Sequence, residues 1–192
     1  MTRYHLLGVA LLLYCGLACA QQTVQSGPWT IAIGPAGPTV VSYNGQPLLR
    51  NGAVNGYLPN WTGTRFSLAG GNITTTANSV TWSRAVPDNQ DATLTLTATG
   101  NKLTFVMETT LRAAGPVEYT VEVVPEAVCT TEHYAQVLVN GKPQTLDLTS
   151  EFSPQYGLKE IRFEKLDGSV VLSGDPLALQ DRRQRRQGFF FY

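Results

Sequence analysis

The most regular hydrophobic pattern in the chain lies between residues 91 and 125. Apolar and polar residues alternate there in three successive runs, which are interrupted at Gly100-Asn101 and at Ala113-Ala114-Gly115. A period of two residues is typical of antiparallel strands that bury one face. The pattern therefore predicts a three-stranded meander.

The two interruptions also predict how the three strands are paired. A two-residue loop at Gly100-Asn101 and a three-residue loop with Gly115 in the left-handed conformation both match apolar with apolar positions. In this arrangement Glu108, Glu118 and Glu122 share the outer, solvated face of the sheet. The predicted pairs are Ala98–Leu103, Leu96–Phe105, Leu94–Met107, Leu111–Val117 and Met107–Val121.

Shorter patterns elsewhere predict about nine further strands. Asn44-Gly45, Asn140-Gly141 and Asp167-Gly168 are hairpin signals, and residues 51–64 resemble a loop. Residues 175–179 suggest a short helix, and residues 126–133 suit either a connection or a single helical turn. The predicted fold is an all-β antiparallel sandwich, supersandwich-like, with little or no helix. Further expectations are a first strand at 29–33, Val41 opposite Leu48, an edge strand at Pro47 and Phe163 opposite Leu172.

The first 20 residues differ from the rest. Arg3 precedes an apolar run, and Ala18-Cys19-Ala20 forms an A-x-A cleavage pattern before Gln21. These features indicate a secretory signal peptide over residues 1–20, followed by one β-sandwich domain over residues 21–192. We therefore expect a secreted protein, or a periplasmic one if the host is a Gram-negative bacterium, with no membrane span.

Composition is compatible with export. Cleavage of the signal would leave Cys129 as the single thiol, so stability would come from the hydrophobic core rather than from an internal disulfide. The chain has 14 basic and 14 acidic residues. This balance offers no electrostatic reason to expect nucleic acid as a partner.

Aromatic residues are the best candidates for ligand contacts. Trp61 lies in the predicted loop, where side chains are presented to solvent rather than buried, with Tyr57 and Asn60 beside it. A flat indole face can stack on a sugar ring. Trp82 alternates with Val80 and is expected in the core. Trp29, Tyr43 and Tyr156 are weaker candidates of the same kind.

No catalytic or metal site is predicted. Cys129 and His133, with Glu126 and Glu132 nearby, form the densest reactive cluster, but there is no CxxC or HExxH pattern and the mature chain has no second histidine. The three glutamates of the meander could hydrolyse glycosides only if an apolar pocket raised the pKa of one carboxyl. No such pocket is indicated, and no cofactor is expected.

Three other features leave alternatives open. Residues 182–186 contain four arginines, which suit an exposed turn, an acidic polymer or a basic processing site. Asn60 and Asn72 begin N-x-T acceptors for glycosylation, which matter only in a eukaryotic secretory route. The aromatic run 188–192 predicts a final buried strand or a fragment of a longer parent.

The segments Ile31-Ala32-Ile33-Gly34 and Val40-Val41-Ser42-Tyr43-Asn44-Gly45-Gln46-Pro47-Leu48-Leu49 carry a resemblance. They are similar to the start of galactose-mutarotase-like supersandwich modules and of N-terminal β-sandwich modules of secreted polysaccharide-active enzymes. Mutarotases use two histidines and a glutamate, and here only His133 remains after the signal, so mutarotase activity is not implied. The resemblance implies a non-catalytic accessory module.

These observations favour a non-catalytic exported module that binds polysaccharide or packs against a C-terminal domain of a longer parent. The alternatives are a structural or adhesive surface protein, which would self-associate through residues 188–192, and a fragment of a glycoside hydrolase.

Overall fold

The computed structural model describes residues 21–86, 90–110, 117–124, 127, 134–147, 150–151, 154–165, 168–181 and 189–191. These residues are almost all in antiparallel β-strands, consistent with an all-β sandwich, so the predicted fold class is confirmed. The predicted signal peptide lies outside the described residues. The strands are β1 (Thr23–Ser26), β2 (Trp29–Ile33), β3 (Pro38–Tyr43), β4 (Gln46–Tyr57), β5 (Thr64–Ser67), β6 (Asn72–Thr75), β7 (Ser79–Val86), β8 (Gln90–Thr99), β9 (Lys102–Thr109), β10 (Val117–Val123), β11 (Tyr134–Val139), β12 (Lys142–Asp147), β13 (Gln155–Lys165), β14 (Gly168–Asp181) and β15 (Phe189–Phe191).

The strands form two sheets. The larger has eleven strands in the order β1-β2-β3-β4-β10-β15-β14-β13-β11-β12, with β5 paired to β4 beside this path. The smaller has four strands in the order β6-β7-β8-β9. The short strand β15 is hydrogen-bonded on both sides, to β10 and to β14, and so joins the two halves of the larger sheet.

The sheets are joined by side chains that reach across the core. Trp82 is fully buried, and its indole Nε1 donates to the carbonyl of Gly34 at 2.8 Å. Trp29 is buried and donates from Nε1 to the carbonyl of Gly100 at 3.0 Å. Each indole thereby buries a large apolar ring while its single donor is satisfied. The prediction that Trp82 lies in the core is confirmed.

The first predicted hairpin of the meander is confirmed in every pair. β8 and β9 place Ala98 opposite Leu103, Leu96 opposite Phe105 and Leu94 opposite Met107. Ala98, Leu96 and Leu94 are at most 1% exposed, as the alternation requires. The turn residues and the hydrophobic alternation specify this register together.

The third strand of the meander was wrongly assigned. β10 does not pair with β9. It lies in the larger sheet between β4 and β15, and Val121 is opposite Phe191 rather than Met107. Leu111, the other predicted contact, lies outside the described residues. Alternation predicts a buried apolar face, and β10 does bury Val121 and Val123, but it does not determine the neighbouring strand.

The hairpin at Asn44-Gly45 is confirmed, with a changed register. A bulge between Val41 and Ser42 places Val41 opposite Leu49 instead of Leu48, and both paired residues are buried. The expectation that Pro47 marks an edge strand was wrong, because β4 lies between β3 and β10. Pro47 is tolerated there because it precedes Leu49, the end of the β4 segment that pairs with β10.

The loop expected at 51–64 is a strand as far as Tyr57. Asn51 adopts a left-handed conformation (φ 54°) inside β4, at a register shift opposite β10. Gly56 is packed so closely that an added Cβ would lie 1.9 Å from the ring of Phe66. The two Asn-Gly pairs therefore do not form turns. The first lies at a bulge, and the glycine of the second allows close packing of an aromatic ring.

The C-terminal hairpins follow the predicted order with two corrections. The Asn140-Gly141 hairpin is confirmed, but Phe163 pairs with Val170 and not with Leu172, because Lys165 and Gly168 form the last pair before the turn. The short helix expected at 175–179 is instead part of β14, held by pairing to β13 and β15. The aromatic run does form a strand, β15, and β1 was missed by the sequence pattern.

Candidate functional site

The connection between β4 and β5 contains the predicted ligand-binding residues, and we call residues 57–63 the aromatic turn. Its ends are closed by the amide of Leu58, which donates to the carbonyl of Gly63 at 2.9 Å. Inside it, the amide of Trp61 donates to the carbonyl of Leu58 at 3.1 Å. The hydroxyl of Thr62 donates to the carbonyl of Pro59 at 3.0 Å. These bonds define the backbone of a short, closed turn.

The local sequence explains part of this conformation. Pro59 is the second residue of a turn that starts at Leu58, where its fixed φ and missing N–H are compatible with the backbone. Asn60 then adopts a left-handed conformation (φ 56°), which asparagine tolerates better than most residues. Trp61 follows with φ 60°, and this conformation costs a bulky side chain roughly 1–2 kcal/mol. The sequence thus retains an indole where glycine would fit with less strain.

The strained indole is presented to solvent. Trp61 is 54% exposed, and its ring centroid lies 4.7 Å from that of Tyr57 with an angle of 48° between the planes. The tilted contact supports one ring against the other and leaves much of the indole open. Leu58 is 43% exposed in the same turn. The structure therefore brings Tyr57 and Trp61 into contact and adds Leu58, which sequence reasoning did not select.

The aromatic turn is also uncharged. No Asp, Glu, Lys or Arg occurs between Tyr57 and Thr64, while the exposed side chain of Asn60 offers an amide donor and acceptor. An apolar ring face beside neutral hydrogen-bonding groups suits a neutral, ring-shaped ligand with hydroxyl groups. Within residues 57–64 no side chain carries a charge that would attract a phosphate or another charged ligand.

The other candidate aromatic residues have different environments. Trp29 packs edge-on against Tyr43 at a centroid distance of 4.8 Å, and both Trp29 and Trp82 are buried. Tyr156 is 69% exposed, on β13, far along the chain from the aromatic turn. It is the nearest equivalent of Trp61 in exposure and supplies a natural control for it.

The three glutamates that were expected on one face are separated. Glu108 pairs with Thr93 in the smaller sheet, whereas Glu118 and Glu122 lie on β10 in the larger one. The predicted common outer surface was wrong, because β10 is not a neighbour of β9. The alternation correctly placed Glu118 and Glu122 on one side of a strand but could not identify the sheet.

Glu122 was further expected to be solvated, yet it is 1% exposed. Its carboxylate accepts a hydrogen bond from Arg50 Nη2 at 2.5 Å and another from Asn51 Nδ2 at 2.8 Å. A buried carboxylate requires such partners. Sequence reasoning missed this cluster because Asn51 was assigned to the start of a loop and Glu122 to the solvated face of the meander.

The remaining reactive groups form no metal cluster among the described residues. Cys129 and His133 lie outside the described residues, as do the arginines of 182–186. Within the part of the chain that the structure describes, no group of three or more His, Cys, Asp or Glu residues could hold a metal ion. Asn60 and Asn72, which begin the two glycosylation acceptors, are both exposed.

The comparisons with known proteins give no family assignment. No family model matches the sequence, and searches of curated proteins and of solved structures found no significant match. Among the described residues, no helix has both the length and the apolar character needed to cross a membrane.

Proposed function

We propose that this protein is a non-catalytic carbohydrate-binding module of an exported, glycan-active system. The observation that carries the proposal is the exposed indole of Trp61, kept at a strained backbone position and supported by Tyr57. Strained backbone that the surroundings maintain is concentrated at functional sites. The signal peptide predicted for residues 1–20 and the resemblance of residues 31–49 to mutarotase-like modules support the same interpretation.

The ligand class follows from the surface of the aromatic turn. The open face of Trp61 would stack on a sugar ring, and Tyr57 would limit the movement of the indole. The amide of Asn60 would bond sugar hydroxyls, for which it has both donors and an acceptor. The lack of charge favours a neutral polysaccharide over an acidic one. We expect a single aromatic turn to bind a polysaccharide weakly. The affinity would increase if several such sites bound one polysaccharide chain together.

Affinity electrophoresis on a panel of neutral polysaccharides tests the proposal. We expect the intact protein to be retarded by at least one neutral glycan and Trp61→Ala to lose this retardation. Tyr156→Ala is the matched control, because it removes an exposed aromatic ring outside the turn and should leave retardation unchanged. Absence of retardation on every glycan, or equal retardation of the intact protein and Trp61→Ala, would contradict the proposal.

A further inference from the structure

The strand β9 is the outermost strand of the four-stranded sheet. In the described ranges its inner side pairs with β8, and no strand pairs with its outer side. It has eight residues without proline or glycine, and Val106 and Met107 are 45% and 38% exposed. These two residues point to opposite faces, so apolar surface flanks the edge on both sides. An edge of this length and composition favours the addition of another strand.

The hairpin determines which backbone groups face outward along this edge. Ala98 donates its amide to Asn78 on the far side of β8, so the pair of Ala98 and Leu103 does not exchange hydrogen bonds. In an antiparallel ladder the two kinds of pair alternate. The amides and carbonyls of Leu103, Phe105 and Met107 therefore point away from β8, toward the open side.

A second copy of β9 matches this edge when a twofold axis passes through Phe105. In this register the three residues with outward-facing backbone groups pair among themselves, which is what an antiparallel ladder requires. Apolar side chains then meet on the face toward the core, and unlike charges meet on the outer face. The pairs between the copies are Lys102–Glu108, Leu103–Met107, Thr104–Val106 and Phe105–Phe105.

Charge distinguishes this register from its neighbours. If one copy shifts by two residues along the edge, the side chains keep their faces. Lys102 is then opposite Val106, or, for a shift in the other direction, Glu108 is opposite Thr104. In neither register does a charged side chain face one of opposite charge. By symmetry the centred register contains two Lys102–Glu108 pairs, one at each end. Opposite charges directly across an antiparallel pair are stabilising, whereas like charges there are destabilising.

We propose that β9 is a self-association edge, at which two copies of this chain join antiparallel about Phe105. The four-stranded sheets of the two copies then form one continuous eight-stranded sheet, and the exposed edge is covered. Self-association through β9 is independent of glycan binding by the aromatic turn. It also replaces the expected association through residues 188–192, because Phe189–Phe191 is already paired on both sides.

Sedimentation equilibrium over a wide range of protein concentration tests the charge pairing. We expect a reversible monomer–dimer equilibrium for the intact chain. Glu108→Lys should weaken the dimer by about tenfold, since it replaces two attractive pairs with two repulsive ones. The double variant Lys102→Glu/Glu108→Lys restores unlike pairs and should recover the dimer. Lys142→Glu, on the exposed strand β12, changes the net charge by the same amount with the opposite sign and should leave the dimer unchanged.

A backbone variant tests the edge itself. Met107→Pro removes an amide that points away from β8, so the hairpin should remain folded while the ladder between copies is broken. Circular dichroism would verify the fold, and the charge variants give a second measurement if this one unfolds. A monomer at all concentrations for the intact chain would overturn the proposal, as would a dimer unaffected by both Glu108→Lys and Met107→Pro.

Discussion

Strand β4 contains one left-handed residue, Asn51, and leads into two more, Asn60 and Trp61. Asn51 and Trp61 are both exposed, but their side chains have different partners. At Asn51 (φ 54°) the bulge places the side-chain amide 2.8 Å from the buried carboxylate of Glu122. At Trp61 (φ 60°) the residue is 54% exposed, and its indole contacts the ring of Tyr57. Both residues occur where an L-residue is strained, but among the described residues only Asn51 is hydrogen-bonded through its side chain to a buried polar partner.

The strained backbone at Asn51 has a structural explanation, whereas the strained backbone at Trp61 is better explained by function. At Asn51 the unusual backbone allows a hydrogen bond that a buried carboxylate needs, so the fold itself gains from it. At Trp61 the same backbone brings a large apolar ring partly into water, and the ring contact that the described residues give it is with Tyr57. The second case is the one for which binding supplies an explanation.

The largest predicted effect comes from removing Glu122, the buried partner of Asn51. Glu122→Ala leaves Arg50 and Asn51 without the carboxylate that they bind, and should lower the free energy of unfolding by about 3 kcal/mol. This value is at the low end for buried ion pairs because the side chain of Arg50 is 40% exposed. Urea denaturation at low protein concentration measures it.

Glu108→Ala is the control for Glu122→Ala, because Glu108 is exposed and its removal should change stability by less than about 0.5 kcal/mol. Equal losses in the two variants would show that the cluster of Arg50, Asn51 and Glu122 does not stabilise the bulge.

The sequence predicted faces more reliably than neighbours. The β8–β9 register was predictable because a two-residue turn and a matching alternation act over short separations in the chain. The same alternation in β10 identified Val121 and Val123 as buried, but its partner β4 is about 65 residues away in the chain and is chosen by packing of the whole sheet. Local pattern carries no information about that choice.

The second prediction concerns Tyr119, which lies beside the bulge. A Cβ added to Gly52 would be 3.0 Å from its hydroxyl, and that hydroxyl is buried without a hydrogen-bond partner in the described part of the chain. Burial raises the pKa of Tyr119 well above 10.0. Above pH 10 the unfolded chain therefore releases this proton while the folded chain keeps it.

Stability from the protonated phenol of Tyr119 is complete below pH 10 and is lost as the pH rises toward the higher pKa of the folded state. The free energy of unfolding should fall by up to about 1.4 kcal/mol for each pH unit in that window. Tyr119→Phe lacks the proton and should show a shallower decline in denaturation curves at pH 8 and above pH 10. Parallel declines of the two proteins would contradict the assignment.

The candidate site was predictable in its residues but not in its strain. Trp61 was selected because Pro59 and Asn60 indicated a turn, and turns expose their side chains. That Tyr57 supports the indole, and that Trp61 itself is left-handed, depend on how β4 and β5 close around residues 58–63. The Asn51-Gly52 pair also resembled a turn, and that prediction was wrong. A bulge and a turn both use left-handed asparagine and unhindered glycine, so the sequence does not distinguish them.

The smallest predicted effect concerns a matched pair of glycine substitutions, which compares the two left-handed positions directly by their effect on stability. Asn51→Gly relieves the strained backbone but removes the hydrogen bond to Glu122, and should destabilise by about 1 kcal/mol. Trp61→Gly relieves the same kind of strain, worth roughly 1–2 kcal/mol, and loses a ring contact of roughly 0.5–1.5 kcal/mol. Its stability should therefore stay near that of the intact protein, while retention on neutral glycans is lost. If Trp61→Gly instead destabilised the protein more than Asn51→Gly, the indole would be a structural part of the turn, and its strain would no longer indicate a binding surface.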